Sequence, residues 1–538
     1  MKRLLRPLFV LTLIAFLLPD SAQAQWPTGV GGRANRDGRS LSIGPNNPTI
    51  RWSGSLSAIV AQQAVIEDDL VVTNRIGSFT IPTGTWIVAH ELTNGNIRWQ
   101  KQLPMSFADS WRSRVTAIRD GQVYATRSGN TNAEYLYALS PIDGSQIWQS
   151  QDLIDETTTE SLAFAPNGDI ITSGPLGLLR INHVDGSTMW SSPRTCPTSG
   201  GCDAVVRNGK VYIWQAGGMG PVVTAFDVNT GANLYSSAGI LGGIVQQVGL
   251  MVGPDGTVYA PRTQNNPATD YLVALQDTGS SLIEKWRYPI GYPPFASHAV
   301  APDGSVYTYS RNVEIVRLDP ASGAVLNTSP VIVTDFLQPR IAIDAEGKIF
   351  FTNGGFTQGT VYSFNADLTL RWSQAVTNVN VGGPALSEDG TLVVCGVGTD
   401  VRAYQDPCTG SIAEYGVGTP GSAGIEPKMV VSGCPTPGGK LAVSITGGLG
   451  GASATFALGF GQGTANVTPN CTVQILPLSP ILFSLPLDGT VPGEGERTIL
   501  VNVPPGAPNT TVYVQGFVQD PGEAFGLAAT KPVAVTVQ

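Results

Sequence analysis

The chain has 538 residues, of which 13% are charged, and it carries a formal net charge of −9 at pH 7. No basic cluster follows the N-terminus, which excludes the electrostatic footprint of a nucleic-acid-binding protein or of a polybasic membrane-surface segment. The 64 glycines and 39 prolines, with frequent runs of Val, Thr and Ile, indicate many short strands joined by tight turns.

Residues 1–24 have the layout of a secretory signal peptide. Basic residues precede an apolar run at 8–18, and a small-residue cleavage site ends at Ala24. A short membrane anchor is the alternative, but the run is about half of the roughly 20 residues that a spanning helix needs. No Cys lies near Gln25 to accept a lipid, and no later segment is long and apolar enough to span a bilayer. We therefore expect an exported chain that is secreted, periplasmic or at the cell surface.

Export permits disulfides, and the sequence contains six Cys. Proximity along the chain favours three local pairs: Cys196–Cys202, Cys395–Cys408 and Cys434–Cys471. Since six cysteines allow fifteen connectivities, proximity is the only basis for this pairing. A zinc site is the competing interpretation, but there is no CxxC and no His lies near a Cys pair.

Two signals then alternate along the chain, and the first is a turn of the Asp-Gly or Asn-Gly type between short apolar runs. It occurs at Asp68-Asp69, Asp120-Gly121, Asn167-Gly168, Asn208-Gly209, Asp255-Gly256, Asp303-Gly304, Glu346-Gly347 and Asp389-Gly390. Asp-Gly and Asn-Gly accept the positive φ angles of a two-residue hairpin loop, so each position predicts a hairpin.

The second signal is a strand, a turn and a further strand that usually ends in an aromatic residue. Its end positions are Trp99, Trp148, Trp190, Tyr235, Trp286, Asn327 and Trp372. They recur at roughly 40–50 residues, which is typical of a four-stranded propeller blade.

The two ends of the repeat complement each other. The eighth turn is followed by a strand ending at Tyr404 but by no Trp strand, whereas the strand at Trp52 has no partner before it. We therefore predict an all-β, eight-bladed β-propeller over residues 25–405, closed by the N-terminal strand, which removes the open sheet edge of a linear array. A β-solenoid, which needs no matched ends, is the alternative.

These units resemble the quinoprotein-like propellers, in which an Ala-Leu-Asp…Thr-Gly…Trp signature recurs. The matching segments are 138–148, 225–231 and 317–323, and the opening segment 26–52 is similar as well. The resemblance covers residues 26–405. It implies the propeller fold, and its signature Trp residues are expected to pack between blades.

Enzymes of this family bind pyrroloquinoline quinone on the ring axis, with a calcium ion, a catalytic Asp and a disulfide between adjacent Cys residues. Here no two Cys are adjacent, Cys196 and Cys202 lie in a loop after the Trp190 strand, and there is no CxxCH haem motif. We expect no cofactor. A second relative is the propeller lipoprotein that assists outer-membrane protein assembly, but this chain has Gln25 where that protein needs a lipidated Cys.

After Tyr404 the composition changes, with no further Trp or His. We interpret 406–430 as a Gly-rich linker and 431–538 as a small β-sandwich of six or seven strands. This part resembles a module appended to many secreted bacterial proteins. A stalk or sorting domain and a ligand- or glycan-binding module both remain open.

No catalytic, cofactor-binding or metal-ligating residue is predicted. His90, His183 and His298 are interpreted as packed or surface histidines, and the Asp-Gly turns mostly carry one carboxylate each, too few for a calcium loop. We predict a non-enzymatic binding or scaffolding platform, monomeric, for an unknown protein or polysaccharide and not for nucleic acid. A quinone-dependent alcohol or sugar dehydrogenase, with quinone and calcium, is the alternative.

Overall fold

A computed structural model describes residues 26–28, 32–54, 64–76, 85–103, 113–127, 135–154, 162–173, 177–195, 204–240, 249–262, 270–290, 298–333, 340–353, 359–376, 383–395 and 401–538. The predicted signal peptide lies outside these ranges. Within them the chain is all-β apart from one 3₁₀ turn at Ser422–Gly424. No helix in this part of the chain is long and apolar enough to cross a membrane.

Thirty-two strands precede residue 405. They are β1 (Ile50–Gly54), β2 (Val65–Glu67), β3 (Leu70–Ile76), β4 (Thr85–Glu91), β5 (Ile97–Gln102), β6 (Ser113–Arg119), β7 (Gln122–Arg127), β8 (Leu136–Leu139), β9 (Gln146–Gln149), β10 (Ala163–Phe164), β11 (Ile170–Ser173), β12 (Gly177–Ile181), β13 (Thr188–Pro193), β14 (Val205–Arg207), β15 (Lys210–Gln215), β16 (Val222–Asp227), β17 (Asn233–Ser236), β18 (Met251–Val252), β19 (Val258–Arg262), β20 (Tyr271–Asp277), β21 (Leu282–Pro289), β22 (Ala299–Val300), β23 (Val306–Tyr309), β24 (Ile315–Leu318), β25 (Val325–Thr328), β26 (Arg340–Ile343), β27 (Ile349–Asn353), β28 (Gly359–Phe364), β29 (Leu370–Val376), β30 (Pro384–Leu386), β31 (Leu392–Cys395) and β32 (Val401–Tyr404).

In the described ranges these strands form eight four-stranded antiparallel sheets. Sheets 1 to 7 each take four consecutive strands, from β2–β5 to β26–β29, and sheet 8 has the order β30–β31–β32–β1. In sheet 8 Ile50 pairs with Tyr404 and Gly54 with Val401, so the N-terminal strand supplies the missing outer strand. Buried apolar clusters join each sheet to the next, and one of them joins sheets 7, 8 and 1. The predicted all-β propeller is confirmed.

The repeated tryptophans bridge neighbouring sheets. In five of them the indole N–H donates to a carbonyl of the following sheet: Trp52 to Leu92, Trp99 to Pro141, Trp148 to His183, Trp190 to Val228 and Trp286 to Pro320. The ring also covers a glycine of that sheet with positive φ, and these glycines are Gly95, Gly144, Gly186, Gly231 and Gly323. A Cβ at these positions would have its nearest neighbouring atom only 2.4–2.7 Å away, so a larger residue does not fit there. The Gly…Trp signature is therefore a packing contact between sheets.

The hairpin turns are of two kinds, which corrects the expectation of a two-residue loop at every position. At Asp120-Gly121 and Asn208-Gly209 both residues have positive φ, as a two-residue hairpin loop requires. At five others a carbonyl three residues earlier accepts the glycine N–H, and only the glycine has positive φ: Gly168, Gly256, Gly304, Gly347 and Gly390. In these longer turns a side chain such as Asp255 accepts a backbone N–H two residues on, which favours this geometry.

The C-terminal module (residues 411–538) contains the strands β33 (Ser411–Glu414), β34 (Lys428–Gly433), β35 (Lys440–Leu449), β36 (Ser453–Gly459), β37 (Gln462–Asn466), β38 (Thr472–Ile475), β39 (Leu478–Pro486), β40 (Pro492–Asn502), β41 (Thr510–Gln519), β42 (Leu527–Ala529) and β43 (Val533–Val537). One sheet has the order β33–β43–β41–β36–β39 with β42 beside β41, a second has the order β34–β35–β40, and β37 pairs with β38. The first two sheets enclose one apolar core, which includes Val443, Phe456 and Val535. This arrangement favours the sandwich predicted from the sequence.

The segment predicted as a linker carries structure of its own. Ser411 pairs with Thr536 and Glu414 with Val533, so β33 is an edge strand of the module. β34 likewise begins at Lys428, inside the predicted linker. The Gly and Pro residues of 406–430 concealed these short strands, because the sequence signal for a strand is a longer alternating run.

Candidate functional site

The first described residues close one end of the ring. We call residues 26–28 and 32–44 the N-terminal segment. Backbone N–H groups of the sheets' first strands donate to its carbonyls in ring order: Ile66 to Trp26, Ile118 to Pro27, Val206 to Ala34, Val252 to Asn35, Val300 to Asp37 and Ile343 to Gly38. Ser42 then donates through Oγ to Glu388 O in sheet 8. So short a segment can reach seven sheets only near the ring axis, so it closes the axis at this end.

The side chains of the N-terminal segment form a buried ion network. Asp37, which is fully buried, lies 2.8 Å from Arg33 Nη2 and 3.4 Å from Arg39 Nε. Burial alone would raise the pKa of Asp37, but the two guanidinium groups outweigh it and hold this pKa below its ordinary value. Asn35 Nδ2 also donates to Asp37, at 3.0 Å. The network fixes the segment because each buried charge has opposite charges around it.

The C-terminal module docks on this closed end. Glu496 of β40 accepts Arg33 Nη1 at 2.5 Å and Arg39 Nη2 at 2.8 Å. Glu494 accepts the backbone N–H groups of Asn208 and Gly209, at the hairpin turn of sheet 4. Two further contacts lie on the far side of the axis. The Ile43 N–H donates to Ser432 Oγ, and Lys440 forms an ion pair with Glu346. The module therefore covers the N-terminal segment.

The opposite half of this end is acidic and faces a lysine of the module. Burial lowers the pKa of Lys428 in β34, against the effect of the Asp120 and Glu67 carboxylates. Burial raises the pKa of Glu67 to about 8, although Glu67 accepts the N–H groups of Asp120 and Gly121. Burial also raises the pKa of Glu388 to about 7, and nearby carboxylates act in the same direction. Arginines meet the module's glutamates on one side and carboxylates meet its lysine on the other, so charge sets the orientation of the module.

The cysteines pair differently from the prediction. Cys408 and Cys434 form the disulfide, which joins the chain just after β32 to the end of β34. Cys395 and Cys471 are buried thiols without a disulfide partner in the described chain. The predicted pairs Cys395–Cys408 and Cys434–Cys471 were wrong, because pairing β33 with β43 brings the module's start back beside β34 while Cys395 stays inside sheet 8. Cys196 and Cys202 lie outside the described residues.

The three histidines lie in three different sheets. His90 stacks on Trp52, with ring centroids 6.2 Å apart, and its Nδ1 lies 3.0 Å from Gly95 O. His183 Nδ1 lies 2.9 Å from Asp169, which also forms a buried ion pair with Arg180. His298 Nδ1 lies 2.6 Å from Thr308 Oγ1, and burial lowers the pKa of His298 to about 3. The structure does not bring the histidines together.

The described residues do not fit the calcium–quinone site that the resemblance implies. Among them no three His, Cys, Asp or Glu side chains are placed to hold a metal ion. The disulfide joins residues 26 apart in sequence, at the edge of the module, rather than adjacent cysteines over the axis. The N-terminal segment fills the axis at this end. We therefore derive no quinone-dependent step from these residues.

Comparisons with known proteins agree with this architecture. Residues 132–294, in sheets 2 to 5, match a family model described as outer membrane protein assembly factor BamB. Residues 132–294 thus resemble the propeller repeats of that family. Quinohemoprotein alcohol dehydrogenase from Comamonas testosteroni is similar in structure, with a TM-score of 0.50 and 12% identity, over 73% of this chain and 83% of that chain. BamB from Moraxella catarrhalis gives a TM-score of 0.45 and 14% identity, over 66% and 97%.

A search of the curated proteins found no match. At these identities the structural likeness concerns the fold.

Sequence reasoning missed the residues that close the ring end. Glu496 lies more than 450 residues from Arg33 and Arg39 in the sequence, although it contacts both. No local sequence pattern links the three residues. The one available signal was the run of three arginines around Asp37, which is dense in a chain with so few charges.

Proposed function

We propose that this protein is an exported, non-enzymatic binding platform that presents the propeller face opposite the C-terminal module to a protein or polysaccharide partner. The observation that carries the proposal is the closed axial end. There the N-terminal segment and the module occupy the ring mouth with the chain's own backbone and ion pairs, which leaves the opposite face for a partner.

Two further observations support it. The family model matched by residues 132–294 is described as an outer membrane protein assembly factor, a role that depends on binding other proteins. The Cys408–Cys434 disulfide is typical of an oxidising compartment outside the cytoplasm. A protein partner is therefore the first class to test.

The test uses the mature chain from Gln25 onward and two probes. One is a urea-unfolded outer-membrane β-barrel protein diluted into buffer, and the other is a panel of soluble neutral polysaccharides. We expect saturable binding of one probe class, measured by fluorescence anisotropy or affinity electrophoresis, and unchanged binding when the docked module carries Glu494→Gln. Absence of binding to both probe classes would contradict the platform.

The same preparation separates the platform from a quinone-dependent dehydrogenase. Pyrroloquinoline quinone and calcium are added, and dye-linked oxidation of alcohols and sugars is followed together with quinone absorbance. We expect no dye reduction above the protein-free control. Substrate-dependent dye reduction with bound quinone would overturn the proposal.

A further inference from the structure

The Cys408–Cys434 disulfide lies at the surface, where the C-terminal module meets the ring. Cys408 is exposed and Cys434 is half-buried. Both cysteines line a cleft of about 370 Å³ between the ring and the module, many times the space that one water needs. A small thiol can therefore reach this bond without unfolding of the protein, whereas the thiols of Cys395 and Cys471 are buried.

On the ring side, the residues just before Cys408 are fixed to the propeller. Asp406 accepts the backbone N–H groups of Asn46 and Asn47 through its two carboxylate oxygens. These two asparagines lie between the N-terminal segment and β1, the outer strand of sheet 8. The sulfur of Cys408 is therefore held close to the ring.

On the module side, Cys434 directly follows the last residue of β34. Ser432, two residues earlier, accepts the Ile43 N–H through Oγ and donates to Leu41 O, so the end of β34 contacts the N-terminal segment. The chain itself enters the module at β33, which belongs to the other sheet of the sandwich. The disulfide therefore adds a second covalent connection from the ring, into the sheet that contains β34.

We propose that the Cys408–Cys434 disulfide is a reversible redox switch, at which thiol–disulfide exchange with a dithiol releases the end of β34 from the ring. One thiolate of the dithiol attacks Cys408 Sγ, the S–S bond breaks, and the electron pair leaves on Cys434 Sγ, which takes up a proton from water. The second thiolate then attacks the sulfur of the dithiol in this mixed disulfide and displaces Cys408 Sγ, which is protonated in turn. The dithiol is oxidised to its own disulfide, and the protein disulfide is reduced to two thiols.

Only one side of the interface depends on this bond. On the other side, Glu494 accepts the backbone N–H of Asn208, and Glu496 pairs with Arg33 and Arg39. Those contacts contain no sulfur and persist after reduction. Reduction should therefore loosen the module at β34 while the glutamates of β40 keep it on the ring. The switch is independent of the proposed partner-binding face.

Thiol labelling of the mature, oxidised chain in native buffer tests the exchange step. The chain is treated with increasing dithiothreitol, free thiols are alkylated with iodoacetamide, and mass spectrometry locates the labels. We expect Cys408 and Cys434 to be labelled about tenfold faster than Cys395 and Cys471, because the two buried thiols react only when the protein opens. Equal labelling of all four would overturn the switch, and so would a bond that resists millimolar dithiothreitol until the protein unfolds.

Amide hydrogen exchange measures the release of the module. Reduction should speed exchange about tenfold in peptides that cover residues 41–46 and 429–436, where Ile43 and Ser432 meet. Peptides that contain Asn208 should be unaffected, since Glu494 still accepts its N–H. Unchanged exchange at residues 41–46 and 429–436 after reduction would overturn the switch.

Two double variants assign the response to this bond. Cys408→Ser/Cys434→Ser should exchange like the reduced wild type, with or without dithiothreitol. Cys196→Ser/Cys202→Ser, the matched control that keeps the bond, should respond to dithiothreitol like the wild type. Loss of the response in this control would overturn the assignment. If Cys408→Ser/Cys434→Ser does not fold, the wild type with and without dithiothreitol decides.

Discussion

At the scale of single residues, the contact between a tryptophan and a glycine holds the repeat together. Gly144 has a φ of +69°, and a Cβ on it would lie 2.7 Å from the ring of Trp99 in the preceding sheet. Gly121 has almost the same φ, +70°, but has nothing within 4 Å of its Cβ position. A substitution at Gly121 therefore reports the backbone strain alone, whereas the same substitution at Gly144 reports the strain together with the steric contact.

Gly144→Ala should be clearly more destabilising than Gly121→Ala. Both substitutions incur about 1 kcal/mol of strain from the positive φ, whereas Gly144→Ala must also displace the Trp99 ring, at about 1–3 kcal/mol. Urea unfolding followed by tryptophan fluorescence measures the difference. Equal losses of unfolding free energy would show that the Gly–Trp contact has no packing role.

The residue scale also shows why the disulfides could not be predicted. Cys395 and Cys408, which proximity in sequence favoured as a pair, lie on either side of β32 along the chain, whereas Cys408 lies at a Cα distance of 5.6 Å from Cys434. Proximity in sequence could not predict this path of the chain, because β33 lies in a Gly- and Pro-rich segment that has no clear strand pattern.

The double variant Cys408→Ser/Cys434→Ser should lower the stability of the module by about 3 kcal/mol, since the bond closes a loop of 26 residues. Chemical denaturation measures the loss, and the wild type in a dithiol reductant is the control that should match the variant. Peptide mapping of the oxidised protein that links Cys408 to Cys395, or Cys434 to Cys471, would refute the assigned bond.

At the scale of elements, the sequence predicted the repeated hairpins and sheets, but it did not predict the path of the N-terminal segment, which does not repeat. Turn pairs such as Asp120-Gly121 and the recurring Trp positions marked the hairpins and the shared last sheet, because strand geometry imposes those residues. The N-terminal segment joins the sheets through backbone groups, which any residue supplies, so its path left no pattern. β1 was predictable because Trp52 repeats the signature of the other sheets.

Deletion of residues 25–54 should destabilise the whole ring rather than one end. It removes β1, which pairs with β32, and the N-terminal segment, which bonds to the first strands of six other sheets. We expect a lower thermal midpoint than that of the full mature chain, measured by calorimetry and circular dichroism. An unchanged midpoint would contradict closure by the N-terminal strand.

At the scale of the whole molecule, docking of the module depends on the protonation of the propeller's acidic half. The titratable groups that meet there besides Glu67 and Glu388 are Asp68, Asp120, Asp389, Glu414, Arg119 and Lys428. The raised pKa values of Glu67 (about 8) and Glu388 (about 7) mean that these two groups bind more protons in the folded protein than in the unfolded chain between pH 4.5 and 8. The stability that these two groups contribute is therefore largest below pH 4.5 and is lost as pH rises through 7–8.

We expect the urea midpoint of the module's transition to fall between pH 5.5 and 8.5, corresponding to about 1–2 kcal/mol after allowance for solvent screening at the partly exposed Glu388. Glu388→Gln should flatten this dependence because it cannot ionise. Glu284→Gln, at an exposed pair, should leave the slope intact. A slope that Glu388→Gln does not change would exclude Glu388 from the interface.

The closed axial end is the central structural claim, and amide hydrogen exchange tests it most directly. The N–H groups of Ile66, Ile118, Val206, Val252, Val300 and Ile343 donate to the N-terminal segment and, if it closes the ring, should exchange as slowly as the strand interiors. Mass spectrometry of the mature chain resolves these peptides. Slow exchange at all six positions and within residues 32–44 is the predicted result. Fast exchange of residues 32–44 over sheets that remain protected would contradict it.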